Sequence, residues 1–290
     1  MKKKLAIIGG VAIGVIGLCV ILCFTLFSLK TVEVDFRSST TVLTGQEQTI
    51  IDSGEFSYGG CVLFLGKRTC IEKIEKAHPY VKVVNIETVF PSKYIIHCTE
   101  RQEVYAIKGD NKTFICDEEF KVLTVAEGEY QPAADKPIEF VGLSISNQNA
   151  EVGDFLQVKN RVDVYSAFIE NNRQLFEQRS LIKQIEVGKL YDDNIKIDQP
   201  YVKFSLYDGQ TYIIKNSTYA LKYKIAKMFA VQAEIFSLIG KPIDGDESNL
   251  WTAEKIKGST IEINNYYLYE GHGENECYFR VIPPQEASNI

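Results

Sequence analysis

Leu5 to Leu29 is a run of 25 residues without one charged side chain. At 1.5 Å of rise per residue, roughly 20 apolar residues span the hydrocarbon core of a bilayer, so the run predicts a transmembrane helix with some tilt. Lys2, Lys3 and Lys4 precede it and only Lys30 follows closely. Positive charge is retained in the cytoplasm, so the reading is a stub over 1–4, a helix over 5–29 and an extracytoplasmic remainder. A cleaved signal peptide has an apolar core of about 7–15 residues and a small-x-small exit. Here the core is longer, and the exit reads Phe27-Ser28-Leu29-Lys30. Cys19 and Cys23 lie within the run and read as small apolar helix residues rather than lipidation sites. Gly10 and Gly14 have the G-x-x-x-G spacing that lets two helices approach closely, a weak signal in a membrane helix.

Beyond residue 30 the chain holds 28 basic against 38 acidic residues, a net of −10. That surface repels nucleic acid and anionic lipid headgroups, and no basic stripe interleaved with aromatics offsets it. Neither a nucleic acid nor a small-molecule substrate is expected. Outside the apolar run stand Cys61, Cys70, Cys98, Cys116 and Cys277, an odd number. Cys61–Cys70 or Cys98–Cys116 could be bridged, with buried free thiols the equal alternative. No spacing suggests a metal site, and no cofactor is implied.

Residues 31–107 read as a compact α+β unit. Thr31 to Phe36 alternates apolar and polar residues, as strands do. Gln46 to Ile51 is a short helical stretch, and Cys61 to Leu65 is an apolar insertion after Gly59-Gly60. From Lys67 to Ala77, Cys70, Ile71, Ile74 and Ala77 mark one helix face, with Glu72, Lys73, Glu75 and Lys76 on the other, and Pro79 ends the helix. Val81 to Phe90 and Lys93 to Arg101 are strands joined at Pro91-Ser92. The order is β-α-α-β-β.

The sequence His78-Pro79-Tyr80-Val81, the strand to Val89, the turn Phe90-Pro91-Ser92 and the close Ile95-Ile96-His97-Cys98-Thr99-Glu100-Arg101 resemble the POTRA domain of the FtsQ/DivIB bacterial division proteins. That pattern has a Pro-aromatic-Val start, an aromatic-Pro turn and a strand ending in Glu-Arg. All of it stands in order behind one apolar segment. Gln102-Glu103 replaces a frequent Pro, and Arg37-Ser38-Ser39 stands where Gly-Asn is usual.

Residues 108–285 read as mixed α+β. Expected are a strand at Asn111–Asp117, a loop at Gly128–Lys136 and a helix over Arg161–Phe176. Strands follow at Ile182–Val187, Asn194–Ile197 and Val202–Leu206, with a hairpin turn at Asp208-Gly209 into Thr211–Ile214. Tyr219 to Leu238 predicts a long helix with Leu221, Ile225, Met228, Phe229, Gln232, Ile235 and Phe236 on its buried stripe. A last strand runs from Ser259 to Tyr269. The expected unit is a β domain over 108–270, with a mainly antiparallel sheet and two flanking helices, then a C-terminal tail over 271–290. Its element order also resembles the family's second domain, closer to the Gram-positive DivIB branch, with Ile261-Glu262-Ile263 and Tyr266-Tyr267 as the late strand. In that domain an Asp-x-x-Gly element is reduced here to Asp117-Glu118-Glu119-Phe120.

Catalytic motifs are sparse. Only His78, His97 and His272 are available as imidazole bases. His78 reads as a helix cap, His97 as an ordinary strand residue and His272 as a loop residue between glycines. No nucleophile elbow, P-loop or H-E-x-x-H is present. Asp244-Gly245-Asp246-Glu247-Ser248 opens like a calcium loop, but Asn249 and Lys255 occupy the sixth and twelfth positions, where Gly and Glu are needed. It reads as a solvated turn.

The aromatic end of the last strand is the candidate binding site: Ile263, Asn265, Tyr266, Tyr267, Leu268 and Tyr269. Read as a terminal edge strand, it could accept a strand from another chain, and its tyrosines suit an interface. The resemblance implies a non-catalytic single-pass scaffold of the division complex at the septum. It would bind FtsL-like and FtsB/DivIC-like membrane proteins and help control septal wall synthesis. The alternative from another class is a membrane-tethered wall enzyme with an unrecognised site, which requires a pocket of convergent polar groups with shifted pKa values.

Overall fold

The computed structural model describes residues 13–284, apart from residues 19, 23, 38–42, 65, 129, 160–161, 193–196 and 266–276. The chain divides into two compact units, Met1–Gln102 and Glu103–Ile290. Both mix helices with sheet, so the chain is α+β. Within the apolar run, residues 13–18, 20–22 and 24–25 are helical. They expose large apolar side chains such as Ile13, Ile16 and Phe24. Among the described residues no helix is long and apolar enough to cross a membrane. Residues 1–12, which include the first eight of the run and Gly10, lie outside the described residues.

In the first unit, β1 (Thr31–Phe36) is followed by α1 (Glu47–Ser53), α2 (Lys67–Ala77), β2 (Val81–Val89) and β3 (Lys93–Glu100). The sheet order is β1-β3-β2, with β3 parallel to β1 and antiparallel to β2. The period of two in β3 sends Tyr94, Ile96 and Cys98 into the core, where Ile50 and Ile74 from the helices complete it. Glu75 belongs to the polar face of α2 by its spacing, yet the structure turns it inward. Its carboxylate accepts from the Val83 backbone N–H at 2.9 Å and from Arg101 Nη2 at 3.0 Å. Arg101 also donates its backbone N–H to the Tyr80 carbonyl. Tyr80-Val81 and Arg101, far apart in sequence, therefore close one side of the sheet together. The pairing and hydrogen bonds offset the cost of burying the guanidinium.

The second unit is built on one nine-stranded sheet, in the order β14-β13-β10-β9-β8-β7-β4-β5-β6. Its strands are β4 (Tyr105–Lys108), β5 (Lys112–Cys116), β6 (Val122–Glu127), β7 (Ile138–Val141), β8 (Ile182–Asp192), β9 (Ile197–Leu206), β10 (Thr211–Lys215), β13 (Thr260–Asn265) and β14 (Cys277–Ile282). The pairs β4/β7, β7/β8 and β10/β13 are parallel and the rest antiparallel. The short β11 (Pro242–Ile243) and β12 (Asp246–Leu250) form a separate hairpin. Helices α3 (Val162–Glu170), α4 (Asn172–Glu177), α5 (Leu221–Ile235) and α6 (Ala253–Lys257) complete the unit. Tyr105, Phe120, Phe140, Phe168 and Phe204 form a chain of ring contacts through its core.

Several elements differ from the sequence reading for identifiable reasons. The expected helix over Arg161–Phe176 is broken at Asn171, whose side-chain amide and backbone N–H both donate to the Ala167 carbonyl. The three strands expected between Ile182 and Leu206 are the two long strands of one hairpin, paired from Ile182↔Leu206 to Asp192↔Ile197. Residues 194–196 of the expected middle strand lie outside the described residues. Phe236 is exposed rather than buried, because α5 ends at Ile235 and passes into a 3-10 turn, Phe236–Leu238. Among the described residues four helices, not two, accompany the sheet. The turn at Asp208-Gly209 is present, with Gly209 at φ +95° and the Asp208 carboxylate accepting from the Gln210 N–H.

Candidate functional site

The aromatic strand singled out by sequence is β13, and β13 is an interior strand. Thr211–Ile214 of β10 pair with it in parallel on one side. Cys277–Ile282 of β14 pair with it antiparallel on the other. Ile263 is fully buried, opposite Ile214 and Phe279. Asn265 pairs with Cys277. Tyr266, Tyr267, Leu268 and Tyr269 lie outside the described residues. The edge-strand expectation therefore does not hold for the described part of β13: among the described residues the strand order ends at β14, from a segment read as tail, and at β6 on the other side. The signal for β14 was available in Cys277-Tyr278-Phe279-Arg280-Val281-Ile282, six residues of ordinary strand length that lie in the segment read as tail.

Alternation along β14 defines two faces. Cys277, Phe279 and Val281 sit opposite Asn265, Ile263 and Ile261 and pack against the core. Arg280 is exposed opposite Glu262, which is ion-paired with Lys215 Nζ at 2.5 Å. Helix α5 lies on the core face of β10, β13 and β14. From it, Lys227 Nζ sits 5.3 Å from the centre of the Phe279 ring, a cation–π distance. Lys224 on the same helix is wholly buried. Its Nζ donates to the carbonyls of Lys215 at 2.8 Å and Asn216 at 2.9 Å, where β10 ends. Burial lowers its pKa from 10.5 to about 8, against a small opposing effect of Cys277. The Cys277 thiol is itself raised by burial.

Other chemistry-bearing groups have structural partners. His97 on β3 is held between Asp35 Oδ2 of β1 and Glu87 Oε2 of β2, each at 2.8 Å. These two bonds, that to Glu87 first, raise the imidazole pKa, while desolvation and Arg37 oppose. The trio ties all three strands of the first sheet together. His78 ends α2, with its N–H on the Ile74 carbonyl and its Nε2 3.2 Å from the Thr49 carbonyl. The Asp244-Gly245 turn has positive φ at both residues, a hairpin turn joining β11 and β12. Cys61, Cys70, Cys98, Cys116 and Cys277 are free thiols. Burial raises Cys98 to about 12 and Cys116 well above the ordinary thiol value, the opposite of nucleophile activation.

A cleft of about 330 Å³ opens at the β4–β5 turn, lined by residues including Lys108, Asp110, Lys112, Tyr130 and Glu139. Lys112 Nζ donates to the Ala150 carbonyl, Tyr130 to the Pro137 carbonyl, and Glu139 accepts from Gln184. These bonds hold the wall of the cleft rather than converge on its centre.

The chain is similar to two curated proteins named cell division protein DivIB. With that of Clostridium tetani (strain Massachusetts / E88) it is 32% identical over 110 residues, covering 37% of this chain and 39% of that protein. With that of Clostridium botulinum (strain Hall / ATCC 3502 / NCTC 13319 / Type A) it is 24% identical over 203 residues, covering 67% of this chain and 75% of that protein. No family model matches the chain.

Proposed function

We propose that this chain, similar to proteins named cell division protein DivIB, is a member of the FtsQ/DivIB family on its Gram-positive side and a bitopic scaffold of the bacterial division complex. In this reading Leu5–Leu29 spans the membrane once with the N-terminus in the cytoplasm, and residues 31–107 form the POTRA domain. The second unit binds division proteins of the FtsL and FtsB/DivIC kind at the septum and so helps to control septal wall synthesis. It catalyses nothing itself.

The observation that carries the binding part is the position of β14 at the end of the nine-stranded sheet. A strand at a sheet edge offers main-chain donors and acceptors to a strand from another chain, and its alternate side chains select the partner. The segment Tyr266–Tyr269, which follows β13 directly in sequence, carries three tyrosines, a residue type that suits interfaces. The test is co-purification of the full chain with an FtsL–DivIC pair from detergent. Tyr267→Lys and Arg280→Glu are each expected to lower recovery of the pair. Unchanged recovery with both variants removes this edge as the contact.

A further inference from the structure

The first unit presents a rigid apolar patch where the apolar N-terminal segment ends. The Val62 N–H donates to the Phe27 carbonyl at 2.9 Å, the Leu29 N–H to the Gly60 carbonyl at 2.8 Å, and the Gly59 N–H to the Leu29 carbonyl at 3.0 Å. The exit of the apolar run is thus bonded, like a short antiparallel strand, to residues 59–62. Val62 is pulled into the core at 2% exposure, and the Tyr94 hydroxyl donates to its carbonyl. That anchoring leaves the next two side chains outside: Leu63 is 52% and Phe64 80% exposed. Phe90, 59% exposed, meets the Phe27 ring edge-on at 6.0 Å. The Lys30 N–H donates to the Ser92 carbonyl, which fixes the Phe90 turn to the same exit.

Scattered exposed apolar residues need no explanation, but a cluster held in place on one side of a domain marks a contact surface. The covalent chain selects the occupant. Phe27 is near the end of the apolar run; Phe90 meets its ring, and Leu63 and Phe64 follow directly on Val62, whose N–H bonds to the Phe27 carbonyl. Lys67 and Arg68 follow Phe64 closely in sequence, the arrangement of cationic side chains beside aromatic ones that suits the headgroup layer. We infer that Leu63, Phe64 and Phe90 insert into the interfacial layer of the bilayer and seat the first unit on the membrane surface. This rests on the reading that Leu5–Leu29 spans the membrane. An interfacial element of this kind sits about 5–10 Å into the headgroup and acyl boundary.

The experiment uses the full chain in phosphatidylcholine vesicles, with tryptophan introduced singly as Phe64→Trp or Leu22→Trp. The emission of native Trp251 is measured in the unsubstituted protein and subtracted. Lipids brominated near the headgroup end of the acyl chain are expected to quench the tryptophan at 64, and lipids brominated near the methyl end to leave it bright. The tryptophan at 22 reports separately on the spanning segment through loss of emission in either lipid. Quenching at 22 without quenching at 64 overturns the seating and leaves the anchor standing, as would a protein occupant of the patch. Quenching at neither position overturns both. Quenching at 64 alone upholds the lipid contact and overturns the anchor.

Discussion

Lys224 is placed where a lysine is least expected, on the buried face of α5 and wholly inside the second unit. Two backbone carbonyls at the end of β10 receive its protons, so its amine plugs a strand terminus that would otherwise be buried without donors. Burial favours the neutral amine and lowers its pKa from 10.5 to about 8. The sign follows from which state binds the proton more tightly. Between about 8 and 10.5 the unfolded chain holds a proton that the folded chain has released, so stability rises as pH increases through that window. The gap corresponds to about 3 kcal/mol when fully developed. Lys224→Met is expected to abolish this rise relative to the native chain. At neutral pH it also leaves two carbonyls unsatisfied, at about 1–3 kcal/mol each. Urea midpoints of both proteins at pH 7, 8, 9 and 10 check this, and parallel pH profiles would refute it. Nothing local in the sequence marks Lys224: it stands between Leu221 and Ile225 on the apolar stripe and looks like a solvated interruption. The His97 trio was hidden for a related reason. Asp35 and Glu87 become its neighbours only once the register of three strands is known.

At the scale of elements, strongly periodic segments were legible and the connections between them less so. The helix at Lys67–Ala77 and the strands of the first sheet follow directly from their spacing. The β8–β9 hairpin does not, because Gly188 and Pro200 look like interruptions of strands. Gly188 is instead the space into which the Tyr201 ring packs, 2.8 Å from where a Cβ would stand. Pro200 lies opposite Lys189 within the ladder. β7, β11 and β12 were missed because at two to five residues each they carry too little alternation to register. The end of β7 holds the sharpest backbone demand. Gly142 has φ +88°, and a Cβ there would meet the Val187 carbonyl oxygen at 2.0 Å. Gly142→Ala combines a left-handed strain of about 1–3 kcal/mol with a clash against backbone. The expected result is a loss of at least that size in urea-unfolding free energy, while Gly128→Ala, also at positive φ but with open space around it, loses only the strain. Equal losses for the two would show that β7 yields without resistance at Val187.

For the molecule as a whole, charge and apolarity are segregated along the chain. Residues after 30 carry a net of −10, and Leu5–Leu29 carries no charge. The acidic part is not drawn to an anionic membrane surface, so under the proposed function membrane residence would rest on the apolar segment, aided by the inferred patch beside its exit. On the proposed reading the β14 edge would work at a membrane-confined concentration, which raises the frequency of encounter with other membrane-bound chains. The candidate site was half legible for the same reason of scale. The late β-rich region showed in the sequence, but which strand ends the sheet depends on pairing between segments far apart. The anchor reading has a direct consequence. The full-length polypeptide should resist extraction of membranes with alkaline carbonate, and Ile13→Lys with Ile16→Lys should release it. Each lysine near the middle of a spanning helix costs about 2.5–3.5 kcal/mol of insertion free energy. Mass measurement of the membrane-bound chain distinguishes retention from processing. A product trimmed near residue 30 and free in the medium would mean that the apolar run is an export signal, and that neither the patch nor the sheet edge works at a bilayer.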